Sequence, residues 1–424
     1  MYPCANKTYS FPHYYIHHPL HSIFLTIMAS IAESVSVSLF FLLHLLSITA
    51  TVAQTTYPSD VSALKAIKVA IDPTTIPDYS CLATWDFTYD PYTTPSSHFL
   101  CGCACVYDYR INMLYFDAIG YVGTLSPLVS ELTGLESIDL SNNKFSGPIP
   151  TSLFSLPNLI SLNLRNNSFS GTIPPIIPIL GTLQILDLSS NLLSGPLPQT
   201  LSSRILIHLD LSFNNFRGPI PKLPRNVREL ALKSNYLSGI LPETSFSELV
   251  QLEAVDLSDN LLTGTIPGWF FLQPFLQRVN LSNNRFTGME ILKPNNSNFL
   301  DTIDAGYNKI NGYLSTNFTV YHMLSSLSLR YNKLKGSIPK EFSRKTTLRT
   351  FFLDGNYLKG KPSKDFFSWK SSIVSGSFGD NFLKRCPKSS KLCSKSQKSS
   401  SICRNAYDGK VKVHTKQRTA NKLK

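Results

Sequence analysis

A motif of about 24 residues recurs through most of the chain and constrains its fold more than any other feature. The consensus L-x-x-L-x-L-x-x-N-x-L-x-G-x-I-P is clearest at 135–150, 159–174 and 324–339. An asparagine marks the register of ten copies, at steps of 21 to 25 residues: Asn143, Asn167, Asn191, Asn214, Asn235, Asn260, Asn284, Asn308, Asn332 and Asn356. A degenerate eleventh copy begins at Ile111 and has Ile119 in the asparagine position. Copies in register predict one stacked repeat array over residues 111–362.

Each part of the motif has a predicted physical role. The x-L-x-L alternation predicts a short strand whose leucines face inward while the residues between them face solvent. The asparagine is expected to bond buried backbone groups where the chain leaves the strand, so that stacked copies form a ladder. Stacking predicts a parallel sheet on the concave side, and the glycine and Ile-Pro pair predict a turn and an extended step toward the convex side.

The array needs a cap at each end, because no repeat can bury its leucine face alone. Residues 54–110 are predicted to form the N-terminal cap, with a helix that begins at Ser59-Asp60 and ends before Asp72-Pro73. Its predicted inward face consists of Val61, Leu64, Ile67 and Ile71. Residues 363–403 are predicted to form the other cap, in which the last repeat is covered by Phe366, Phe367 and Trp369.

Seven cysteines lie in two clusters that bracket a cysteine-free array: Cys81, Cys101, Cys103, Cys105, Cys386, Cys393 and Cys403. This distribution predicts disulfide-containing caps in an oxidising compartment, with the pairing left open. The spacing C-x-C-x-C at residues 101–105 lacks the two- to four-residue gap of a zinc site. We therefore expect no metal and no cofactor.

An apolar segment near the N-terminus, residues 35–53, is followed by small residues at 51–53. It predicts a signal peptide over residues 28–53 that starts at an internal Met28, with residues 1–27 as an upstream extension of the reading frame. The part of the chain after Gln54 is then extracellular, secreted or at the cell surface. In that compartment four sequons are candidates for N-glycosylation: Asn166, Asn280, Asn295 and Asn317.

The net charge of +13 is concentrated at the C-terminal end, because residues 384–424 contain 13 Lys or Arg and a single acid. The remaining body is nearly neutral. A basic stretch next to a neutral body is typical of a solvated appendage, and residues 404–424 are predicted to be a basic tail. No folded basic face with interleaved aromatics accompanies it, so nucleic-acid binding is not expected.

Several of these features together resemble the ectodomains of plant leucine-rich-repeat receptor-like proteins and receptor kinases. They are the L-x-G-x-I-P repeat, the cap sequence 63–68, the stretch from Cys81 through Trp85 to Pro91, and the Cys-Pro…Leu-Cys ending. The resemblance covers residues 54–410. It implies an α/β-type repeat solenoid, a curved right-handed superhelix with a parallel concave sheet. It also implies binding of peptides, co-receptors or pathogen products, with signalling through membrane partners.

Three departures from the family pattern stand out. Tyr92 and Phe382 occupy positions where the family's caps usually have a cysteine, and Cys103 is additional. No apolar span of about 20 residues follows Trp369, and the chain contains no kinase motif. Membrane association is therefore expected only through partners or through an uncleaved N-terminal segment.

No catalytic residues are predicted. The chain lacks a nucleophile elbow, a phosphate-binding glycine loop, an HExxH motif and a pair of acids on a cleft, so an enzyme is not expected. A column of acids recurs at one strand position and is interpreted as repeat consensus rather than as a binding stripe: Asp139, Asp187, Asp210, Asp256 and Asp304.

Bulky or charged residues at outward positions concentrate in two places. The mid-array group is His208, Phe213, Glu229 and Lys233. The group nearer the C-terminus is Arg278, Tyr307, Arg330, Tyr331 and Phe352. Aromatic side chains with arginine on a rigid sheet are the composition of interface hot spots. We predict that the second group forms one exposed partner-binding patch.

The sequence therefore predicts an extracellular recognition module that binds a peptide or a co-receptor ectodomain in cell-surface signalling or defence. The expected partner is a membrane receptor kinase or co-receptor. One alternative is a secreted inhibitor of cell-wall-degrading enzymes, similar to polygalacturonase-inhibiting proteins, although the cap lacks their Cys-Cys…Trp-x-Gly-Val pattern. Another is an extracellular scaffold whose basic tail holds acidic pectin.

Overall fold

A computed structural model describes most of the chain after residue 54. The described residues are 55–93, 98–99, 101–105, 108–174, 181–199, 205–295, 298–368 and 371–408. The predicted upstream extension and signal peptide, Trp369 and residues 409–424 lie outside this set.

One long sheet runs through the described part of the chain and contains thirteen short strands in repeat order. The strands are β1 Cys103–Cys105, β2 Ile111–Tyr115, β4 Ser137–Asp139, β6 Ser161–Asn163, β8 Ile185–Asp187, β10 His208–Asp210, β12 Glu229–Ala231, β14 Ala254–Asp256, β17 Arg278–Asn280, β19 Thr302–Asp304, β21 Ser326–Ser328, β23 Thr350–Phe352 and β25 Ser375–Ser377. Strand β1 is antiparallel to β2, and the others pair in parallel and in direct register. The predicted parallel concave sheet is confirmed.

The core lies directly behind this sheet. The middle residue of each three-residue strand from β4 to β23 is at most 2% exposed: Ile138, Leu162, Leu186, Leu209, Leu230, Val255, Val279, Ile303, Leu327 and Phe351. The residues on either side point outward and are half-buried or exposed, with the exception of buried Ser328. Burying one such side chain stabilises the fold by about 1.5–3 kcal/mol. These side chains stay buried only while the repeats remain stacked on one another.

A second set of short strands, which we call the lateral strands, follows the ladder asparagines. They are β3 Val122–Thr124, β5 Lys144–Pro148, β7 Ser168–Gly171, β9 Leu192–Pro196, β11 Asn215–Gly218, β13 Tyr236–Gly239, β15 Leu261–Leu262, β16 Thr265–Ile266, β18 Gly288–Met289, β20 Asn311–Tyr313, β22 Lys333–Gly336, β24 Tyr357–Gly360 and β26 Phe382–Leu383. They form sheets of seven, two and four strands among the described residues. The sequence predicted only an extended step here. Gly147, with φ of +79°, shows why glycine recurs in this segment.

The opposite, convex side is made mostly of short 3-10 helices. They are Pro127–Glu131, Thr151–Ser155, Gly268–Leu272, Thr316–Val320, Lys340–Arg344 and Lys364–Phe367, joined by the four-residue α-helix α2, Glu243–Phe246. Several begin directly after the proline of the Ile-Pro pair, for example Thr151–Ser155 after Pro150. Among the described residues, no helix has both the length and the apolar character needed to cross a lipid bilayer.

The N-terminal cap is joined to the first repeat by a buried carboxylate. Helix α1, Pro58–Val69, begins one residue before the predicted start. It buries Leu64 and Ile67, whereas Val61 is only half-buried. The fully buried Asp60 accepts a hydrogen bond of 2.9 Å from the backbone N–H of Ile111 in β2. Burial raises the pKa of Asp60, and the Arg110 guanidinium 3.4 Å away opposes that shift.

Two disulfides close the caps. Cys81 is bonded to Cys101, and Cys386 is bonded to Cys393. The indole of Trp85, which is 2% exposed, donates to the carbonyl of Cys101 at 2.8 Å. The cap tryptophan and the first disulfide therefore stabilise the same loop.

The array does not stop at residue 362. Strand β25 pairs in parallel with β23, and Asn381 continues the asparagine ladder. Phe366 and Phe378 pack edge to face behind it at 5.2 Å between ring centroids. The repeat that contains β25 and Asn381 does not match the sequence consensus, because Gly376 stands where the other strands have a large apolar residue.

The C-terminal stretch is folded onto the array as far as Asp408. Lys398 lies 3.1 Å from Oδ1 of Asp380, and helix α3, Ser400–Asp408, follows it. The Tyr407 hydroxyl accepts from the backbone N–H of Gly336 and donates to the carbonyl of Tyr357, at 2.9 and 2.7 Å. The interpretation of this stretch as a solvated appendage is therefore wrong up to Asp408.

Candidate functional site

The asparagine ladder occupies the interior edge of the long sheet. Asn260 shows the geometry: its Oδ1 accepts from the backbone N–H of Leu237 at 2.9 Å. Its Nδ2 lies 2.9 Å from the carbonyl of Leu232 and 3.0 Å from that of Ser258. One side chain thus serves both the previous repeat and its own. Ile119, which aligns with these asparagines, is 37% exposed and takes no part in the ladder.

The residue before each ladder asparagine lies in a left-handed turn at the rim of the concave face. The φ angles are between 49° and 57° for the non-glycine residues Asn142, Asn166, Ser190, Phe213, Ser234, Asp259, Asn283, Tyr307, Tyr331 and Asp380. Tyr307 and Tyr331 therefore belong to turns and not to strands, which corrects their predicted placement. Their rings stack at 4.7 Å with an interplanar angle of 17°. In the next repeat this position is Gly355, where a Cβ would clash with the Tyr331 ring.

The other predicted members of the C-terminal patch are engaged in internal contacts. Arg330 lies 3.1 Å from Oδ1 of the fully buried Asp354, and its guanidinium stacks over Phe352 at 4.2 Å. Lys395 reaches the same carboxylate at 2.7 Å and donates to the Tyr331 hydroxyl at 3.2 Å. These two hydrogen bonds raise the pKa of Lys395. The patch is contiguous, but only Tyr307 among these residues is strongly exposed.

Arg278 does not join this patch. Its guanidinium lies 4.0 Å from Glu229, whose other oxygen is 3.0 Å from Nδ1 of His208. The structure therefore assigns Arg278 to the mid-array group, whose members Glu229 and Arg278 are more than half exposed. Phe213 and Lys233 of that group contact each other at the rim, 5.3 Å from the ammonium to the ring centroid.

A recess of about 510 Å³ opens on the concave face between these charged side chains. It is lined by His208, Glu229, Leu230, Ala231, Ala254, Val255, Asp256, Arg278, Val279, Asn280, Thr302 and Asp304. Two alanines create it. Ala231 stands at the strand position that holds Asp210 and Asp256 in the repeats on either side, and Ala254 lies one strand further, next to Arg278. The recess was not predicted from the sequence, although these two small residues stand among larger outward residues.

The predicted acidic column has a structural role in every repeat where it occurs. Each carboxylate accepts a hydrogen bond from the backbone N–H two residues later, at 2.8–2.9 Å: Asp139, Asp187, Asp210, Asp256 and Asp304. This geometry supports the consensus interpretation. Burial raises the pKa of Asp210, and the neighbouring charge of Asp187 adds to the shift. Asp256 and Asp304 additionally give the recess its acidic wall.

The recess and the tyrosine pair are continuous along the concave face. Strand β19 contributes Thr302 and Asp304 to the recess, and Tyr307 follows the same strand after two residues. Tyr307 is 47% exposed. The candidate site therefore extends from His208 to Tyr307 on one rigid surface.

The four sequons differ in their surroundings. Asn166 and Asn295 are exposed. Asn280 lies in the recess, where its Nδ2 donates to Asp256 at 3.1 Å, and the Nδ2 of Asn317 donates to the carbonyl of Ile291 at 2.7 Å. A glycan on Asn280 would fill the candidate site.

Family profiles identify the class of protein that this fold defines. A leucine-rich-repeat profile matches residues 134–156, 158–180, 182–203, 206–227 and 323–344, and a second one matches residues 225–289. The matched segments of the chain are leucine-rich repeats.

Curated proteins similar to this chain include a plant receptor-like protein and a plant receptor kinase. Receptor like protein 27 of Arabidopsis thaliana is 32% identical over 185 residues, which cover 43% of this chain and 17% of the relative. The calmodulin-binding receptor kinase CaMRLK of Arabidopsis thaliana is 42% identical over 55 residues, 13% of this chain and 8% of the relative. The chain thus spans less than a fifth of the length of these relatives.

Solved structures agree with this assignment. The PEPR1–AtPEP1 complex has a TM-score of 0.69 and 29% identity over 77% of this chain and 46% of that chain. The Arabidopsis receptor kinase HAESA, with the peptide hormone IDA and the co-receptor SERK1, has a TM-score of 0.54 and 25% identity over 77% and 66%. A plant ice-binding protein covers 82% of this chain at a TM-score of 0.55 and 24% identity, which shows the fold alone.

Proposed function

We propose that this chain is an extracellular recognition module of the plant receptor-like type, which binds a peptide or a co-receptor ectodomain on its concave face and catalyses no reaction. The recess formed by Ala231 and Ala254 is the observation that carries the proposal. Its volume is in the range of ligand pockets. Its rim holds the exposed side chains of Glu229 and Arg278, which carry opposite charges. The similar receptor kinase HAESA is in complex with the peptide hormone IDA and the co-receptor SERK1, which supports the proposal.

The physical case rests on rigidity. The recess is built on five adjacent strands, whose backbones are fixed by the parallel ladder and by the asparagines behind them. A ligand therefore does not have to order this surface when it binds, which lowers the entropic cost of association. Tyr307 at the rim offers an amphipathic ring of the kind that dominates interface energetics.

An extracellular location is part of the proposal, and the two disulfides support it. If residues 28–53 are a signal peptide, N-terminal sequencing of protein secreted by plant cells will begin near Gln54. Recovery of an intact, unglycosylated chain from the cytosol would contradict the proposed location.

The proposed site is tested by filling the recess. Ala254→Arg places a long side chain at the first position of β14, and Ser161→Arg places the same side chain at the first position of β6, outside the recess. Both positions are half-exposed, so both variants should fold. We expect wild type and Ser161→Arg to capture the same receptor kinase or co-receptor from plant membranes, and Ala254→Arg to lose it.

Tyr307→Ala extends the test to the rim. Loss of a hot-spot tyrosine weakens binding by about 2 kcal/mol or more, with the thermal unfolding temperature nearly unchanged. Equal capture by wild type, Ala254→Arg and Tyr307→Ala would place the interface elsewhere. Inhibition of a polygalacturonase by the purified protein, unaffected by Ala254→Arg, would replace the proposal with the secreted-inhibitor alternative.

A further inference from the structure

The lateral strands at the C-terminal end of the array, together with the residues directly after two of them, carry a cluster of lysines that no ion pair neutralises. We call it the lysine face and define it as Lys333, Lys335, Lys359, Lys361 and Lys384. Among the described residues none of the five lies in a salt bridge, although eight such bridges occur elsewhere in the described chain. The strands themselves, β20, β22, β24 and β26, contain no acid.

Register places these lysines on neighbouring strands, where each is offset along the strand from the next and lies beside an aromatic or a small residue. Lys335 pairs with Tyr357 across β22 and β24, and Lys359 pairs with Phe382 across β24 and β26. The backbone N–H of Lys384 bonds the carbonyl of Gly360 at 2.8 Å, directly before Lys361. Leu334 and Leu358 are buried, so the lysines on either side of them point outward. Neighbouring strands are about 4.8 Å apart, which makes a compact cationic surface.

The same surface holds an exposed aromatic ring. Tyr313 pairs with Lys335 across β20 and β22 and is 80% exposed. Its ring lies over Gly336, where a Cβ would meet it at 2.6 Å. Beside it, Tyr407 of α3 lies under the ammonium groups of Lys335 and Lys359, at 5.5 and 3.9 Å from the ring centroid. The surface thus combines positive charge with an open aromatic face.

The rest of the lateral surface lacks this property. The seven strands β3 to β15 in their shared sheet contain only two basic residues, Lys144 and Arg217. In addition, the sequence that follows Asp408 on the docked helix holds six more Lys or Arg and no acid. Five lysines without a salt-bridge partner among the described residues therefore lie on the lateral surface at one end of the array, and like charges held together without partners favour an anionic ligand.

We propose that the lysine face binds an acidic polysaccharide, a chain of uronic acid units whose carboxylates pair with the lysines while a sugar ring packs on Tyr313. An anionic membrane is a less suitable partner. Apart from Tyr313, the strands of this face expose no large apolar side chain that could enter the acyl region. This site is separate from the concave recess and does not depend on the function proposed for it.

The test measures retention of the full chain on immobilised polygalacturonate at low salt. Lys333→Gln/Lys335→Gln removes two charges from the first and third positions of β22. The matched control Lys144→Gln/Arg217→Gln removes two charges from the first position of β5 and the third position of β11. The two pairs are also matched in ring contacts, because Arg217 lies 5.5 Å from the Tyr236 ring centroid and Lys335 lies 5.5 Å from that of Tyr407.

We expect the β22 pair to weaken retention by roughly fivefold to tenfold and the control pair by less than about twofold, with a steep dependence on salt for the wild type. Lys333→Arg/Lys335→Arg should retain wild-type binding, and Tyr313→Ala should weaken it. Thermal unfolding of each variant shows that it is folded.

Four results would overturn the proposal. The first is equal retention of the β22 double variant and the control double variant on polygalacturonate. The second is binding of the wild type to fully methyl-esterified polygalacturonate that equals its binding to the free acid. The third is stronger binding to vesicles of phosphatidylserine and phosphatidylcholine than to polygalacturonate. The fourth is complete loss of binding on deletion of residues 409–424 in a chain whose lysine face is intact.

Discussion

At the scale of single residues, the asparagine ladder explains why so short a motif specifies a fold. A narrow core leaves backbone N–H and carbonyl groups beyond the reach of the strand ladder, and one amide side chain satisfies both kinds. Because that need recurs in every repeat, ten asparagines could be identified from spacing alone. Asn381 has the same contacts, to Leu358 and Leu353 at 3.0 Å. It was missed because its strand carries Gly376 in place of leucine and the pattern no longer matched.

Replacement of a ladder asparagine is expected to destabilise the array. Asn260→Leu leaves the buried N–H of Leu237 without its partner and removes one of the two amide donors to the carbonyl of Leu232, which costs about 1–3 kcal/mol in the free energy of unfolding. The measurement is thermal or chemical unfolding. Asn311→Leu is the control, because it makes the same exchange at an exposed position of β20. Equal unfolding of Asn260→Leu and wild type would show that the ladder adds no stability.

Asp210 makes stability depend on pH. Its pKa is raised above the ordinary 3.8 by burial, which outweighs the hydrogen bonds from Ser212. The folded chain therefore holds the proton more tightly than the unfolded chain. The free energy of unfolding then decreases as pH rises from the unfolded pKa through the folded one.

Asp210→Asn should remove this decrease. Asparagine already occupies the same strand position at Asn163 and Asn280, so the exchange fits the turn. We expect the variant to be more stable than wild type at pH 7, with the difference vanishing as the pH falls below the unfolded pKa of aspartate. The check is urea unfolding at several pH values. A difference that grows toward acidic pH would contradict the assignment.

At the scale of elements, the inward half of each strand could be predicted and the outward half could not. Leucine spacing determines which side chains enter the core, because only that face has a packing requirement. The recess arises where Ala231 and Ala254 are small, and a missing side chain gives no periodic signal. The lateral strands were not predicted from the sequence because they are only two to five residues long. Most of them also contain a glycine, which indicates a turn in a sequence pattern.

Helix α3 offers a test at the same scale. The hydroxyl of Tyr407 accepts from the backbone N–H of Gly336 and donates to the carbonyl of Tyr357, and these two residues lie in two lateral strands. Tyr407→Phe keeps the ring beneath Lys359 and removes both hydrogen bonds, at a cost of about 1–2 kcal/mol in docking. Hydrogen exchange at Gly336 should accelerate, while exchange in β10 stays unchanged. Unchanged exchange at Gly336 would mean that the hydroxyl does not hold the helix in solution.

At the scale of the whole molecule, the chain behaves as a one-dimensional stack in which each repeat contacts only its neighbours. A repeat pattern therefore predicted the architecture and the concave sheet. The two ends were harder to predict from the sequence. Each cap covers one exposed face of the array, so its residues occur once and form no repeating pattern. The docking of Lys395 against Asp354 illustrates this, since it joins residues 41 positions apart and no periodicity links them.

The stack also predicts that a defect has different consequences at its end and in its middle. Asn381 is fully buried in the last copy, and it serves Leu358 on one side and Phe378 and Gly379 in its own turn. Asn381→Leu should release β25 and β26 and leave the earlier repeats folded, because in the described part of the chain no further repeat stacks on this copy. Asn260→Leu interrupts the stack between two halves and should loosen repeats on both sides.

Hydrogen exchange separates the two outcomes. In Asn381→Leu we expect faster exchange at Leu358 and Leu383, which are bonded to side chains of the last copy and the segment after it, and unchanged exchange in β4 to β14. In Asn260→Leu we expect faster exchange in β12 and β17 and a larger drop in unfolding temperature. If both variants lose protection uniformly along the chain, the array unfolds as a single cooperative unit and its ends are as strongly coupled as its centre.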